Sequence, residues 1–195
     1  SGFAFYVQYF QSFVGGTPYS LYRHDQGSDV VTPIYSGDRQ IQSVTGSADG
    51  TVVLVSMRET TSSTSDFEIF LLSLSDPNNP VIIQFTNDSV DNTNVSMSRN
   101  FGRFVYEESV AGIPTVIIMK NNGFLSFSKT ILTNTLPQRQ ASVSGDSRYV
   151  ALVRDLPNGN DRVFTYDIAL NSYLNVATST TVLDYPSLSD NGLKV

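Results

Sequence analysis

The sequence predicts an all-β fold of four repeated, four-stranded antiparallel sheets, and three observations carry that prediction. The first is composition: among 195 residues there are three lysines and four glutamates against 26 serines and 17 threonines. Strong helix formers are scarce, while residues suited to strands and turns abound. The second is a recurring turn, Ser-x-Asp/Asn-x, followed by an apolar strand. It reads Ser47-Ala48-Asp49-Gly50, Ser98-Arg99-Asn100-Phe101, Ser144-Gly145-Asp146-Ser147 and Ser189-Asp190-Asn191-Gly192. The third is the interval. The turn serines stand 51, 46 and 45 residues apart, the length that one propeller blade occupies. A four-bladed β-propeller is the architecture these features imply.

Taken in order, the first repeat supplies strands at residues 3–7, 19–23 and 29–34 and lacks a leading strand. The first three turns lead into apolar strands at 51–55, 102–106 and 148–153, and the fourth is followed only by 193–195. A second strand follows in each repeat at 67–72, 115–119 and 162–166, and a third at 80–87, 128–134 and 173–178. Gly, Pro, Asn, Asp and Ser fill the gaps, as at 75–79 and 155–160, where they supply preset or positive φ and Asx hydrogen bonds. The strands read as mixed apolar runs, as expected of sheets buried on both faces between neighbours. No stretch has the 3.6-residue apolar period of a helix, and no linker splits the chain. Residues 185–189 are expected to complete the first sheet, sealing the ring and removing its open edges. Residues 193–195 fit that closure badly, because they duplicate the register of 3–5. One domain is expected, with blades at 1–37 plus 183–195, 38–88, 89–135 and 136–182.

At these turns the sequence resembles the TolB-like branch of the WD-repeat-related β-propellers. The matching pieces are Ser47-Ala48-Asp49-Gly50, Val150-Ala151-Leu152-Val153, Ile69-Phe70-Leu71-Leu72, Phe85-Thr86-Asn87 and Leu132-Thr133-Asn134. The resemblance covers nearly the whole chain and implies fold rather than function. Phe101 and Ser147 depart from it, standing where Gly is usual, and extra residues surround Gly46.

Several functional classes fall away. Twelve Lys and Arg against 18 Asp and Glu give a net charge of −6, unlike a phosphate-backbone binder, which needs clustered cations. The chain has no cysteine, which removes disulfides, thiolate zinc sites and a cysteine nucleophile. Propeller sialidases share Ser-x-Asp-x-Gly turns, but theirs end in a tryptophan, and this chain has none. His24 is the single histidine; it reads as a solvated turn residue, and no Gly-x-Ser-x-Gly elbow accompanies it. The stretches 88–94 and 155–161 are rich in oxygen ligands but lack EF-hand spacing, so they read as turns. Asn87-Asp88-Ser89 and Asn94-Val95-Ser96 match glycosylation acceptors at the rate chance provides in such a chain. No apolar run is long enough for a membrane helix. No secretory signal is visible, and Ser1-Gly2 reads as a trimmed start.

The remaining clue is positional. Just past equivalent strands come Arg58-Glu59, Glu107-Glu108 and Arg154-Asp155, and the first repeat places Tyr9, Phe10 and Phe13 there. Repeat symmetry sets all four groups on one face, where loops on a rigid scaffold present binding groups. The expectation is a non-catalytic binding module for a protein or glycan, with no catalytic residues, metal or cofactor. It is expected to be monomeric, the alternative being two copies in an eight-bladed ring. Low Lys, abundant Ser, Thr and Asn and absent Cys suggest an extracytoplasmic protein. The alternative function is the gating propeller of a prolyl-oligopeptidase-like hydrolase.

Overall fold

In the computed structural model every ladder among the described residues joins two strands consecutive in sequence. The structure describes residues 2–9, 19–61, 65–76, 79–123, 126–132, 135–179, 183–192 and 194–195. These fall into two units, Ser1–Thr93 and Asn94–Val195. All regular elements among the described residues are strands.

The first unit holds two sheets. One runs β1(Phe3–Tyr9), β2(Tyr19–Asp25), β3(Val30–Gly37), and the other β4(Ile41–Gly46), β5(Val52–Arg58), β6(Phe67–Ser73), β7(Val81–Gln84). Both are antiparallel. Their facing sides share one core: Leu21 and Ile34 from the first sheet, and Val53, Val55, Met57, Phe70 and Leu72 from the second. Phe5 packs against that core and explains Gly46, where a Cβ would stand 2.0 Å from the Phe5 ring.

The second unit repeats the plan with two four-stranded antiparallel sheets. They comprise β8(Thr93–Met97), β9(Arg103–Val110), β10(Ile113–Asn121), β11(Phe127–Ile131), then β12(Gln138–Val143), β13(Tyr149–Asp155), β14(Asp161–Asp167), β15(Ser172–Ser179). Val105, Val116 and Ile118 meet Val143, Val150 and Leu152 in its core. The middle strands β5, β6, β9, β10 and β13 are buried over four or five consecutive residues. The outer strands β7, β11 and β15 are mostly exposed. Mixed apolar runs in mid-sheet are therefore the sequence mark of strands covered on both faces.

Each four-stranded sheet is pinned by its turn serine. The Val52 amide donates to Ser47 Oγ (3.0 Å), that of Arg103 to Ser98 Oγ (3.0 Å), and that of Tyr149 to Ser144 Oγ (2.9 Å). The hydroxyl in turn donates to the turn acid or amide: Ser47 to Asp49 (2.6 Å), Ser98 to Asn100 (3.3 Å), Ser144 to Asp146 (2.6 Å). Ser189 repeats both bonds, with Lys194 N–H and Asn191. The fourth turn residue is left-handed in every copy: Gly50 (φ 69), Phe101 (φ 55), Ser147 (φ 68) and Gly192 (φ 68). Phe101 and Ser147 thus adopt the backbone of the glycine they replace. The turn dictates that conformation, and tertiary packing holds it against the cost of about 1–2 kcal/mol for an L side chain.

Among the described residues the first sheet has three strands. Residues 185–189, expected as its fourth, form no strand. Tyr185 is left-handed (φ 51), as Asn94 and Gln140 are within β8 and β12, but here Pro186 follows and has no N–H to give to a ladder. This end of the chain bonds to residues of its own unit. Tyr185 N–H donates to Gln140 Oε1 (3.0 Å), and Asp190 C=O accepts from Asp146 N–H (2.7 Å). Leu193, within the stretch expected to misfit, lies outside the described residues.

Candidate functional site

The positional clue resolves into tied side chains. Tyr9 ends β1 opposite Tyr19; Phe10 and Phe13 lie outside the described residues. Arg58 ends β5 and is held on three sides. Its Nε donates to Gln40 Oε1 at 2.9 Å, a guanidinium nitrogen donates to the Ser65 carbonyl, and the Phe67 ring lies 4.3 Å beneath it. Glu59, half-buried, bonds through its backbone N–H to the Asp66 carbonyl (3.0 Å).

In the second unit Glu107 is buried. It accepts from Asn94 Nδ2 at 2.9 Å and from the Gln140 backbone N–H. Burial pushes its carboxyl above the ordinary range, and those hydrogen bonds oppose the shift. Glu108 pairs with Lys129 at 2.7 Å. Arg154 lies between the Phe164 and Tyr173 rings, 4.5 and 4.6 Å from their centroids, and burial lowers its pKa.

Asp155 belongs to a cluster around Arg139. The Arg139 guanidinium reaches Asp155 (2.9 Å), Asp161 (2.9 Å) and Asp184 (2.7 Å). A β-bulge between Arg139 and Ser142, with Gln140 at φ 54, aims this arginine. Sequence reading placed Glu107 and Asp155 on one face. The structure links them through adjacent residues, since Gln140 binds Glu107 and Arg139 binds Asp155. Arg139 itself was missed, because nothing in the plain strand 138–143 marks a bulge.

His24 lies within β2 rather than in the turn; its Nε2 meets Asp29 Oδ1 at 2.8 Å. In the stretch 88–94, Asp88 Oδ1 accepts from Val90 N–H and Asn92 Nδ2, as an Asx turn does. Among the described residues no group of three or more His, Cys, Asp or Glu is placed to hold a metal.

A second feature carries no sequence motif. In the first unit a cavity of about 410 Å³ is lined by Tyr35, Arg39, Met57, Phe70, Ile82 and Gln84. Tyr35 comes from β3, Arg39 from the β3–β4 connection, and the others from β5, β6 and β7. Phe70 lies opposite Gln84 in the ladder. A Cβ at Gly37 would stand 2.4 Å from the Tyr35 hydroxyl, so glycine makes room for that ring. Burial raises the pKa of that hydroxyl. The Arg39 guanidinium lies 5.4 Å from the Phe70 centroid.

No family model matches the chain, and no curated protein does. Solved structures do match. TolB from Acinetobacter baumannii superposes with a TM-score of 0.74 at 18% identity, over 98% of this chain and 45% of that one. A chain of a nidogen–laminin complex gives 0.60 at 13% identity, over 96% and 65%. A prolyl endopeptidase gives 0.61 at 10% identity, over 90% and 26%. The chain spans less than half the length of that TolB. The sheets are propeller blades of the TolB-like and WD-repeat kind, as the turns suggested.

Proposed function

We propose that the chain is a non-catalytic, extracytoplasmic binding module that presents charged groups at its strand ends to a protein or glycan partner. The Arg139 cluster carries this reading. Asp155 and Asp184 are fixed by the guanidinium while 42% and 46% of each side chain stays exposed. Oriented, accessible carboxylates lose little freedom when a partner's donors engage them. Glu59 offers a further acid group, Glu108 presents its carboxylate together with the ammonium of Lys129, and Arg58, Glu107 and Arg154 hold their surroundings. Tyr9, Phe10 and Phe13 are the aromatic part of the proposal. The low Lys and Cys content supports the localisation.

The test is capture on a glycan array and from a protein extract. Wild type is compared with an Asp155→Ala/Glu108→Ala variant and a Tyr9→Ala/Phe10→Ala/Phe13→Ala variant, each verified as folded by circular dichroism. Loss of capture in either supports the module. Undiminished capture in both removes these residues from the site. The likeness to a prolyl endopeptidase keeps a second reading, a gating propeller of a larger hydrolase. A downstream α/β domain with Gly-x-Ser-x-Gly in the full-length gene would establish it.

A further inference from the structure

We propose that the cavity beside Arg39 binds the free C-terminal carboxylate of an extended peptide whose last residue is apolar. The site uses none of the charged residues at the strand ends, although Met57 and Arg39 are the chain neighbours of Arg58 and its partner Gln40.

The lining states what would fit. Met57, Phe70, Ile82 and the Tyr35 ring supply the apolar side of the wall, Gln84 and the Tyr35 hydroxyl belong to its polar side, and Arg39 adds one cation. Among the described residues the Arg39 side chain has no ion pair or hydrogen bond; its contact is the face of Phe70. A planar guanidinium in a partly dry setting is best matched by a carboxylate, which it grips with two parallel bonds. The neighbouring apolar wall calls for a hydrocarbon group a few ångströms from that charge. A C-terminal apolar residue carries both on one Cα. About 410 Å³ is near the low end for ligand pockets; it suits one such residue rather than a sugar chain.

The backbone offers a track to the cavity. β7 is the outer strand of its sheet, so its outer row of N–H and C=O groups has no strand partner among the described residues. Ile82 and Gln84, two apart on β7, both line the cavity, and Ile82 is 43% exposed. A peptide laid along β7 as an added strand would direct alternate side chains to that face. On the far wall, Gly37 leaves the room that the Tyr35 ring occupies.

The probes are N-acetyl-L-phenylalanine, its C-terminal amide and acetate, titrated into 15N-labelled protein and followed by amide shifts. The acid is expected to shift residues 35–39, 57, 70 and 82–84 and to bind about tenfold more tightly than the amide, the effect of one charge-assisted pair. Arg39→Gln should erase the difference between acid and amide; Ile82→Ser should weaken both. Equal binding of acid and amide overturns the proposal. So do shifts centred elsewhere, acetate binding as tightly as the aromatic acid, or no response at about 10 mM probe, where even a millimolar site would be filled.

Discussion

Replacing Ser144 by Ala tests whether the turn serine holds each sheet. Ser144 is fully buried, and its hydroxyl both accepts the Tyr149 N–H at 2.9 Å and donates to Asp146 at 2.6 Å. Alanine removes both bonds and leaves the Tyr149 N–H without a partner where water does not reach. Asp146 keeps the Arg148 N–H at 3.0 Å and can turn to solvent, so most of the cost falls on the amide. An unsatisfied buried donor costs about 1–3 kcal/mol, and about 2 kcal/mol is expected here. With a urea slope of about 2 kcal/mol/M, the midpoint should fall by about 1 M. Ser189 makes the same bonds in a more exposed setting. Ser189→Ala should therefore move the midpoint by no more than about 0.3 M, because water replaces the lost partner. Equal shifts in the two variants, or less than about 0.3 M for Ser144→Ala, would refute the reasoning.

Two other perturbations follow from single contacts. Gly46→Ala drives a methyl into the Phe5 ring at 2.0 Å, and such overpacking should cost about 1–3 kcal/mol in chemical denaturation. Glu107 provides a pH test: burial raises its folded carboxyl above the ordinary 4.5, so the native state binds more protons than the unfolded one between those two values. Its contribution is greatest below 4.5 and is lost as pH rises through the raised value. Glu107→Gln should remove that fall from the pH dependence of unfolding, and an unchanged profile would show that Glu107 titrates normally.

The repeat was legible because its cause is local. Ser47, Ser98, Ser144 and Ser189 each close a turn within five residues, so the spacing of four serines marked the sheets. Even Phe101 and Ser147, which break the glycine pattern, keep the left-handed turn. What escaped notice depends on the backbone between turns. Asn94, Gln140 and Tyr185 each stand four residues before a turn serine, and all three have positive φ. This shared irregularity accompanies the bulge that turns Arg139 toward three aspartates, yet it looks like ordinary strand in the letters. The Arg39 cavity was equally hidden, since its walls come from four strands and a connection. Gly37 and a lone arginine beside apolar strands were the available signs, and neither forms a motif.

Because each ladder joins consecutive strands, most pairing can begin between segments a few residues apart, with little loop-closure entropy to overcome. A sheet of this kind is a unit of inheritance as much as of folding. One copied in tandem brings its own turns and ladders, and needs only a compatible apolar face on the copy beside it. Lengthening such a chain by duplication is physically simple, whereas changing the interior of one sheet disturbs every strand in it.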